Sequence, residues 1–373
     1  MPDLLSPEVR TPDAPAVNVE QFRIDSHKLH LHPRRVADWQ DGKIIYPLYM
    51  EVGATGSCNH RCTFCGVDFM GYQNRRLELD RYEQLLPELG RLGVKSIMYA
   101  GEGEPLLHPN IGRIAQLTKA SGTDVSFTTN AVFLKPALSK QMLPVTSWIK
   151  VSINAGTAET YAKIHRTKAK DFDTVVRNLA DAAEIRRRTG ATCTLGMQAL
   201  LLPENWDEID ILAKTARDIG MNYLVMKPYS QHTQSVTTEY ADMRYDQSAG
   251  LAAQLEALSA PGFKVIVRLN TMKKWDSRER PYDRCLSLPF WSYIDAGGDV
   301  WGCSVYMRDQ RFHYGNVKDA SFQAIWEGEK RRESLRFVHN ELDVSQCRVN
   351  CRMDEVNRYL SELVHPGAHA NFI

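Results

Sequence analysis

Long apolar runs are missing from this 373-residue chain. No stretch approaches the ~20 apolar residues a helix needs to cross a bilayer, so no membrane role is expected. An excess of charge is missing too. With 46 basic against 45 acidic residues the net charge is +1, and no global field draws the protein to nucleic acid or to an anionic surface. The opening Met1-Pro2-Asp3-Leu4-Leu5-Ser6-Pro7 lacks the basic and apolar regions of a secretory signal, so a cytoplasmic protein is expected. Binding must then come from a local site. The length allows two or three domains.

Cysteine is sparse but grouped. In a reducing compartment the eight cysteines are better suited to be metal or cluster ligands than disulfide partners. Three of them stand in Cys58-Asn59-His60-Arg61-Cys62-Thr63-Phe64-Cys65, after a strand-like run at 46–52 and the turn-like Gly53-Ala54-Thr55-Gly56. Three thiolates on one loop can hold three irons of a [4Fe–4S] cube and leave the fourth open to a small molecule. A structural zinc site is the alternative, with His60 as its fourth ligand. His60 lies between the thiols, however, where a short loop is not expected to turn it onto the same ion.

The spacing C-x3-C-x2-C, with Phe64 before its last cysteine, resembles the signature of the radical S-adenosylmethionine (SAM) superfamily. Membership implies that SAM chelates the open iron, that one electron cleaves it, and that a 5′-deoxyadenosyl radical abstracts a hydrogen atom from substrate. It also implies a reduced flavodoxin or ferredoxin as electron donor.

Downstream, β-rich runs at 96–100, 124–129, 148–153, 192–198 and 222–226 alternate with amphipathic segments at 80–92, 109–121, 173–189 and 206–219. That rhythm predicts parallel strands with right-handed crossovers, in an open sheet or a barrel. The resemblance selects a partial (β/α)6 TIM-like barrel over residues 46–260, an α/β fold. Residues 1–45 are expected to form an extended arm, with His27, His30 and His32 on a solvated strand edge. A helix at 245–259 and an isolated strand at 263–269 follow.

The second run leads into Ala100-Gly101-Glu102-Gly103-Glu104-Pro105, which resembles the Gly-Gly-Glu-Pro element that holds the SAM amino group. Glu102 stands where that pattern has its first glycine; Gly101, Gly103 and Glu104 are the implied cofactor contacts. In the fourth run Trp148, Lys150, Ser152 and Asn154 share one face and the apolar Ile149, Val151 and Ile153 the other. Ser152 and Asn154 should therefore look into the barrel near its rim, where the resemblance implies polar contacts to SAM, with Gln198 on the next strand; Arg166 could reach the SAM carboxylate. The same alternation turns Cys193 toward the helices, as core packing. Lys227 and His232, at the polar exit of the sixth run, and Glu102 are the candidate bases.

The remaining cysteines are Cys285, Cys303, Cys347 and Cys351. A hairpin over 291–302, turning at 296–299, should bring the first two together, and a helix at 321–337 leads to the last two. Four thiols can hold a zinc ion or a fully ligated [4Fe–4S] cluster. C-x12-G-x4-C followed by a close pair resembles the Twitch domain, a shortened SPASM domain, although its final pair is C-x3-C here. Residues 261–373 thus read as a linker strand and a small α+β iron–sulfur domain. Twitch enzymes include dehydrogenases that oxidise a secondary alcohol, which implies oxidation of a small polar substrate (a sugar, aminocyclitol or nucleoside) with the electron passed to the auxiliary cluster. A radical SAM maturase of a ribosomal peptide, a redox-neutral epimerisation or decarboxylation, and a non-catalytic iron–sulfur or zinc protein are the other readings.

Overall fold

Strand alternation sorts the side chains of one sheet into an apolar outer face and a polar inner one. The computed structural model describes residues 24–246 and 248–372. Ten strands form a single sheet: β1 (Tyr49–Val52), β2 (Ser96–Tyr99), β3 (Asp124–Thr129), β4 (Trp148–Ser152), β5 (Thr194–Leu200), β6 (Tyr223–Lys227), β7 (Lys264–Val267), β8 (Trp291–Ile294), β9 (Asp299–Trp301) and β10 (His313–Asn316). Their order is β10-β9-β8-β1-β2-β3-β4-β5-β6-β7. From β1 to β7 every pairing is parallel.

Outward residues of these strands, among them Ile97, Tyr99, Phe127, Val151, Met197, Leu224 and Val265, join the inner faces of the helices in one continuous core. The helices Leu79–Arg91, Ile111–Ala120, Lys170–Thr189 and Ile209–Asp218 supply the other half of it. Burial of this apolar layer, at about 25 cal/mol per Å² removed from water, holds the sheet and its helices together. Cys193 lies in it, 2% exposed, as the alternation predicts.

The polar inner face looks into a lumen. Arg352, held against Glu51 on β1, is within electrostatic reach of Lys150 on β4. Strands three places apart in a flat sheet would separate those groups widely, so the sheet is curled.

The structure corrects several expectations. The strand at 263–269 is not isolated: β7 pairs with β6 in the register Tyr223↔Lys264, the helix Ser248–Glu256 being its crossover. The barrel thus has seven parallel strands and runs past residue 260. Nor does the C-terminal module build a separate sheet, because β8 pairs in parallel with β1, Tyr49↔Trp291, and carries the predicted hairpin partner β9 antiparallel beside it. The helix expected at 321–337 is two, Phe322–Trp326 and Glu329–Asn340, since Gly328 leaves the helical region and starts the second. A last helix, Asp354–Val364, went unforeseen.

Of the arm, residues 1–23 lie outside the described residues. The rest is partly helical rather than extended throughout: Pro33 opens a helix to Gln40, where its missing N–H costs nothing. His27 and His30 pack edge to face beside a 3-10 turn, not on a strand edge.

Candidate active site

The loop after β1 is tied down by its neighbours. Arg61 N–H donates to the His165 carbonyl at 3.2 Å and Thr63 N–H to that of Ile164 at 2.9 Å, so the loop docks on the end of the helix Ala158–His165. Tyr240 donates to Thr63 Oγ1 at 2.9 Å, and Ser235 to the Cys65 carbonyl at 3.0 Å. Cys58, Cys62 and Cys65 stay partly exposed on this frame. Burial pushes the Cys58 thiol up to about 12 and raises those of Cys62 and Cys65. As ligands of a bound cluster Cys58, Cys62 and Cys65 would be thiolates, the charge of the metal offsetting this burial.

His60 departs from expectation. One ring nitrogen each of His60 and His165 and the Cys62 Sγ lie within 4.8 Å of one another, so the loop does turn His60 toward Cys62.

The glycines of the second loop serve close packing. Gly103 has φ +69°, and a Cβ there would sit 1.9 Å from the Thr55 carbonyl oxygen; Glu104 N–H then donates to the Ser57 carbonyl at 2.8 Å, just before Cys58. At Gly101 a Cβ would strike the Tyr293 hydroxyl. The Glu104 carboxylate accepts from the N–H groups of Leu106, at 3.1 Å, and Asn130, at 2.8 Å, and from Thr129 Oγ1. Burial nonetheless raises it to about 7.

Other predicted residues have different occupations. Asn154 is fully buried, with Oδ1 accepting from Leu200 N–H at 2.7 Å and Nδ2 3.3 Å from His165 Nε2. It joins the ends of β4 and β5 and offers SAM no surface. Arg166 caps its helix in the left-handed region and reaches Glu239, 3.6 Å away. Phe64 packs edge-on to His165. Ser152 and Gln198 meet at 3.2 Å on the inner face.

Of the three candidate bases, two are committed. Glu102, 3% exposed, sits 3.2 Å from Arg75 Nη2, which lies equally close to Asp295, and it accepts from Ala296 N–H at 2.6 Å. The carboxylate in place of a glycine therefore locks β2 to the turn after β8. His232 accepts from Gln234 N–H at Nδ1, 3.1 Å, which makes Nε2 the donor to the Ser304 carbonyl, also 3.1 Å. With both nitrogens engaged, and its pKa lowered to about 4 by burial, it has no lone pair for substrate. Lys227 alone of the three faces the lumen without a partner among the described residues. Burial, then the charges of Lys150, Arg268, Arg352 and Arg348, lowers its pKa.

Cys285, Cys303, Cys347 and Cys351 line one cavity with Tyr306, Arg352 and the apolar Leu288 and Trp291. Ser287 Oγ lies 3.5 Å from the Cys285 sulfur and Tyr306 Oη 3.5 Å from that of Cys347. Convergent thiols with hydroxyls on their sulfurs fit a fully ligated cluster. Sequence reasoning missed the residues that join this cavity to the lumen. Arg348 donates to Ser230 Oγ at 3.0 Å, and Arg352 pairs with Glu51. The available signal was an arginine directly after each of the last two cysteines, and a lysine, Lys150, at mid-strand on the polar face of β4.

Comparison with known proteins agrees with this geometry. Residues 53–216 match the family described as the radical SAM superfamily, and residues 285–352 match SPASM, an iron–sulfur cluster-binding domain. The chain is 28% identical over 188 residues to the GTP 3′,8-cyclase of Chlorobaculum tepidum, a match over 49% of this chain that spans only 55% of the cyclase. It is 24% identical over 300 residues to the AdoMet-dependent heme synthase of Methanosarcina barkeri, covering 76% of this chain and 82% of that one. Among solved structures it superposes on Streptococcus suis SuiB bound to its precursor peptide with a TM-score of 0.61 at 15% identity, over 81% of this chain and 69% of SuiB. That last likeness is one of fold.

Proposed function

Because the chain belongs to the radical SAM superfamily and carries an iron–sulfur domain of the SPASM type, we propose that it is an oxidoreductase that removes a hydrogen atom from a carbinol carbon of a small polar molecule held in the barrel lumen. When bound, SAM and the two clusters would supply one-electron chemistry, a 5′-deoxyadenosyl radical to take the carbon-bound hydrogen atom and an acceptor for the electron left on the substrate, with the hydroxyl proton released to solvent.

The observation that carries this reading is the shared wall between the four-thiol cavity and the lumen. Arg352 lines the cavity and also pairs with Glu51 on the inner face of β1. A redox centre held by those thiols would lie one side chain from the substrate chamber, which supports electron exchange, a use that redox-neutral chemistry does not need. The chain's own residues orient and enclose. Ser152 and Gln198 offer paired polar groups on the inner face, while Tyr293 closes the lumen against Gly53 and Gly101.

The test is anaerobic turnover of reconstituted protein with a strong reductant, and with reduced flavodoxin or ferredoxin as the proposed natural donor. SAM should yield 5′-deoxyadenosine, and small polar compounds that accelerate its release are the substrate candidates. A product lighter by one hydrogen pair supports oxidation. An isomeric product overturns it, and absence of 5′-deoxyadenosine under every condition sinks the enzyme reading altogether.

A further inference from the structure

The lumen carries more positive charge than its walls balance. Lys227, at the end of β6, lies within electrostatic reach of Lys150, Arg268, Arg352 and Arg348. Two of the five have carboxylate partners: Arg268 stands 3.0 Å from Asp25, and Arg352 pairs with Glu51. Arg348 is held by the hydroxyl and carbonyl oxygens of Ser230, which are neutral acceptors. Among the described residues the side chains of the two lysines make no hydrogen bond or ion pair; Lys150 Nζ lies over the Trp148 ring, 5.3 Å from its centre, and feels Glu51, already paired with Arg352, from a distance. Three cations thus face one chamber uncompensated.

Desolvated cations without counter-charges oppose folding, and apolar residues of similar length would fill the same positions without that penalty. Their presence in the lumen is accounted for by a ligand that brings the missing charge. SAM does not match it, because its sulfonium and ammonium outnumber its single carboxylate. On β6 the inner-face residues before Lys227 are apolar: Tyr223 and Val225 pack with Ile266 and Ile24, with Lys150 in register with Tyr223 through Gly196.

We propose that Lys150 and Lys227, flanked by Arg268, Arg348 and Arg352, form a subsite for a substrate bearing two or more negative charges, a phosphorylated or polycarboxylate small molecule. This deepens the proposed function by naming the charge class of its substrate, and it gives Lys227 the task of holding substrate rather than taking its proton. Burial and the neighbouring positive charges lower the pKa of both lysines, and an anion bound beside them raises it again, so binding takes up protons.

The experiment uses anaerobically reconstituted full-length protein, with calorimetry in two buffers of different ionisation enthalpy. Pyrophosphate and citrate are the probes, neutral inositol is the control, and SAM is titrated in parallel. At least one anion should bind with proton uptake and weaken with salt; pyrophosphate alone selects the phosphorylated class and citrate alone the polycarboxylate. Lys150→Met and Lys227→Met should each weaken that binding by about tenfold or more, the loss of one charge-assisted contact, while SAM affinity is kept. Lys227→Arg, which keeps the charge, should retain anion binding. Unfolding temperature without anion separates lost contact from lost fold, since removing an unpaired cation should leave it equal or higher. Absence of proton-linked anion binding, wild-type anion affinity in both Met variants, or loss of SAM instead of anion each overturns the subsite. Formation of 5′-deoxyadenosine reports on the radical reading separately.

Discussion

Replacing Arg75 by methionine probes the seam between barrel and iron–sulfur module. The guanidinium Nη2 is 3.2 Å from both Glu102 and Asp295, and those carboxylates are 3% and 1% exposed. Breaking a buried pair from one side costs about 3–5 kcal/mol, because the other charge stays buried. Arg75 is itself 30% exposed, so solvent screens part of its charge. Other donors also remain: Ala296 N–H on Glu102, and Gly297 N–H and the Trp301 indole on Asp295. The expected loss is therefore about 2–3 kcal/mol. At an unfolding entropy of about 2.1 cal/mol/K per residue, a chain this long should melt about 3 °C lower.

The pH dependence follows from Glu102. Burial already raises its pKa, while the Ala296 N–H and Arg75 hold it down, so Arg75→Met raises it further. A carboxylate whose folded pKa lies above its unfolded value carries its penalty fully above the folded pKa and sheds it as pH falls toward the unfolded one. The deficit of the variant against wild type should thus shrink from pH 8 to pH 5, and Glu102→Gln on the Arg75→Met background should recover part of it at pH 8. Thermal melts of the reconstituted proteins measure all three. A deficit that grows on acidification, or a double variant no more stable than Arg75→Met, would refute the argument.

Two further outcomes are expected. Reconstituted protein should bind about eight irons, and triple replacement of Cys58, Cys62 and Cys65 by alanine should leave about four; stoichiometric zinc that survives loss of the C-terminal four thiols would contradict the two-cluster assignment. Gly103→Ala must accept both φ +69° and a Cβ 1.9 Å from the Thr55 carbonyl, a strain of at least ~1 kcal/mol that displaces the backbone just before Cys58. It should lower SAM affinity and iron at the first site while leaving the auxiliary irons in place, and wild-type values for both would remove the loop from that role.

How much was legible in the sequence divides along local and non-local lines. Alternation within β4 placed Ile149, Val151 and Ile153 in the core, and the same two-residue period carried Cys193 there from β5. Cysteine spacing marked both thiol sets, because ligands on one loop or one hairpin are neighbours in the chain as well as in space. Periodicity equally foretold the six strands from β1 to β6, each a short apolar run between turn signals.

Pairing between distant segments was another matter. That β7 extends the barrel, and that β8 joins β1, depends on which edges are left open once the other strands have paired, and no residue of 264–267 or 291–294 records its partner. The functions of polar residues were decided at the same level. Asn154, Glu102 and His232 read as site residues because they stand at strand ends, yet each is engaged by at least one group 11 to 194 positions away. Of Lys150, Lys227, Arg268, Arg348 and Arg352 only Lys227 stood out in the sequence, as a candidate base; the curling of the sheet is what brings the five within electrostatic reach of one another.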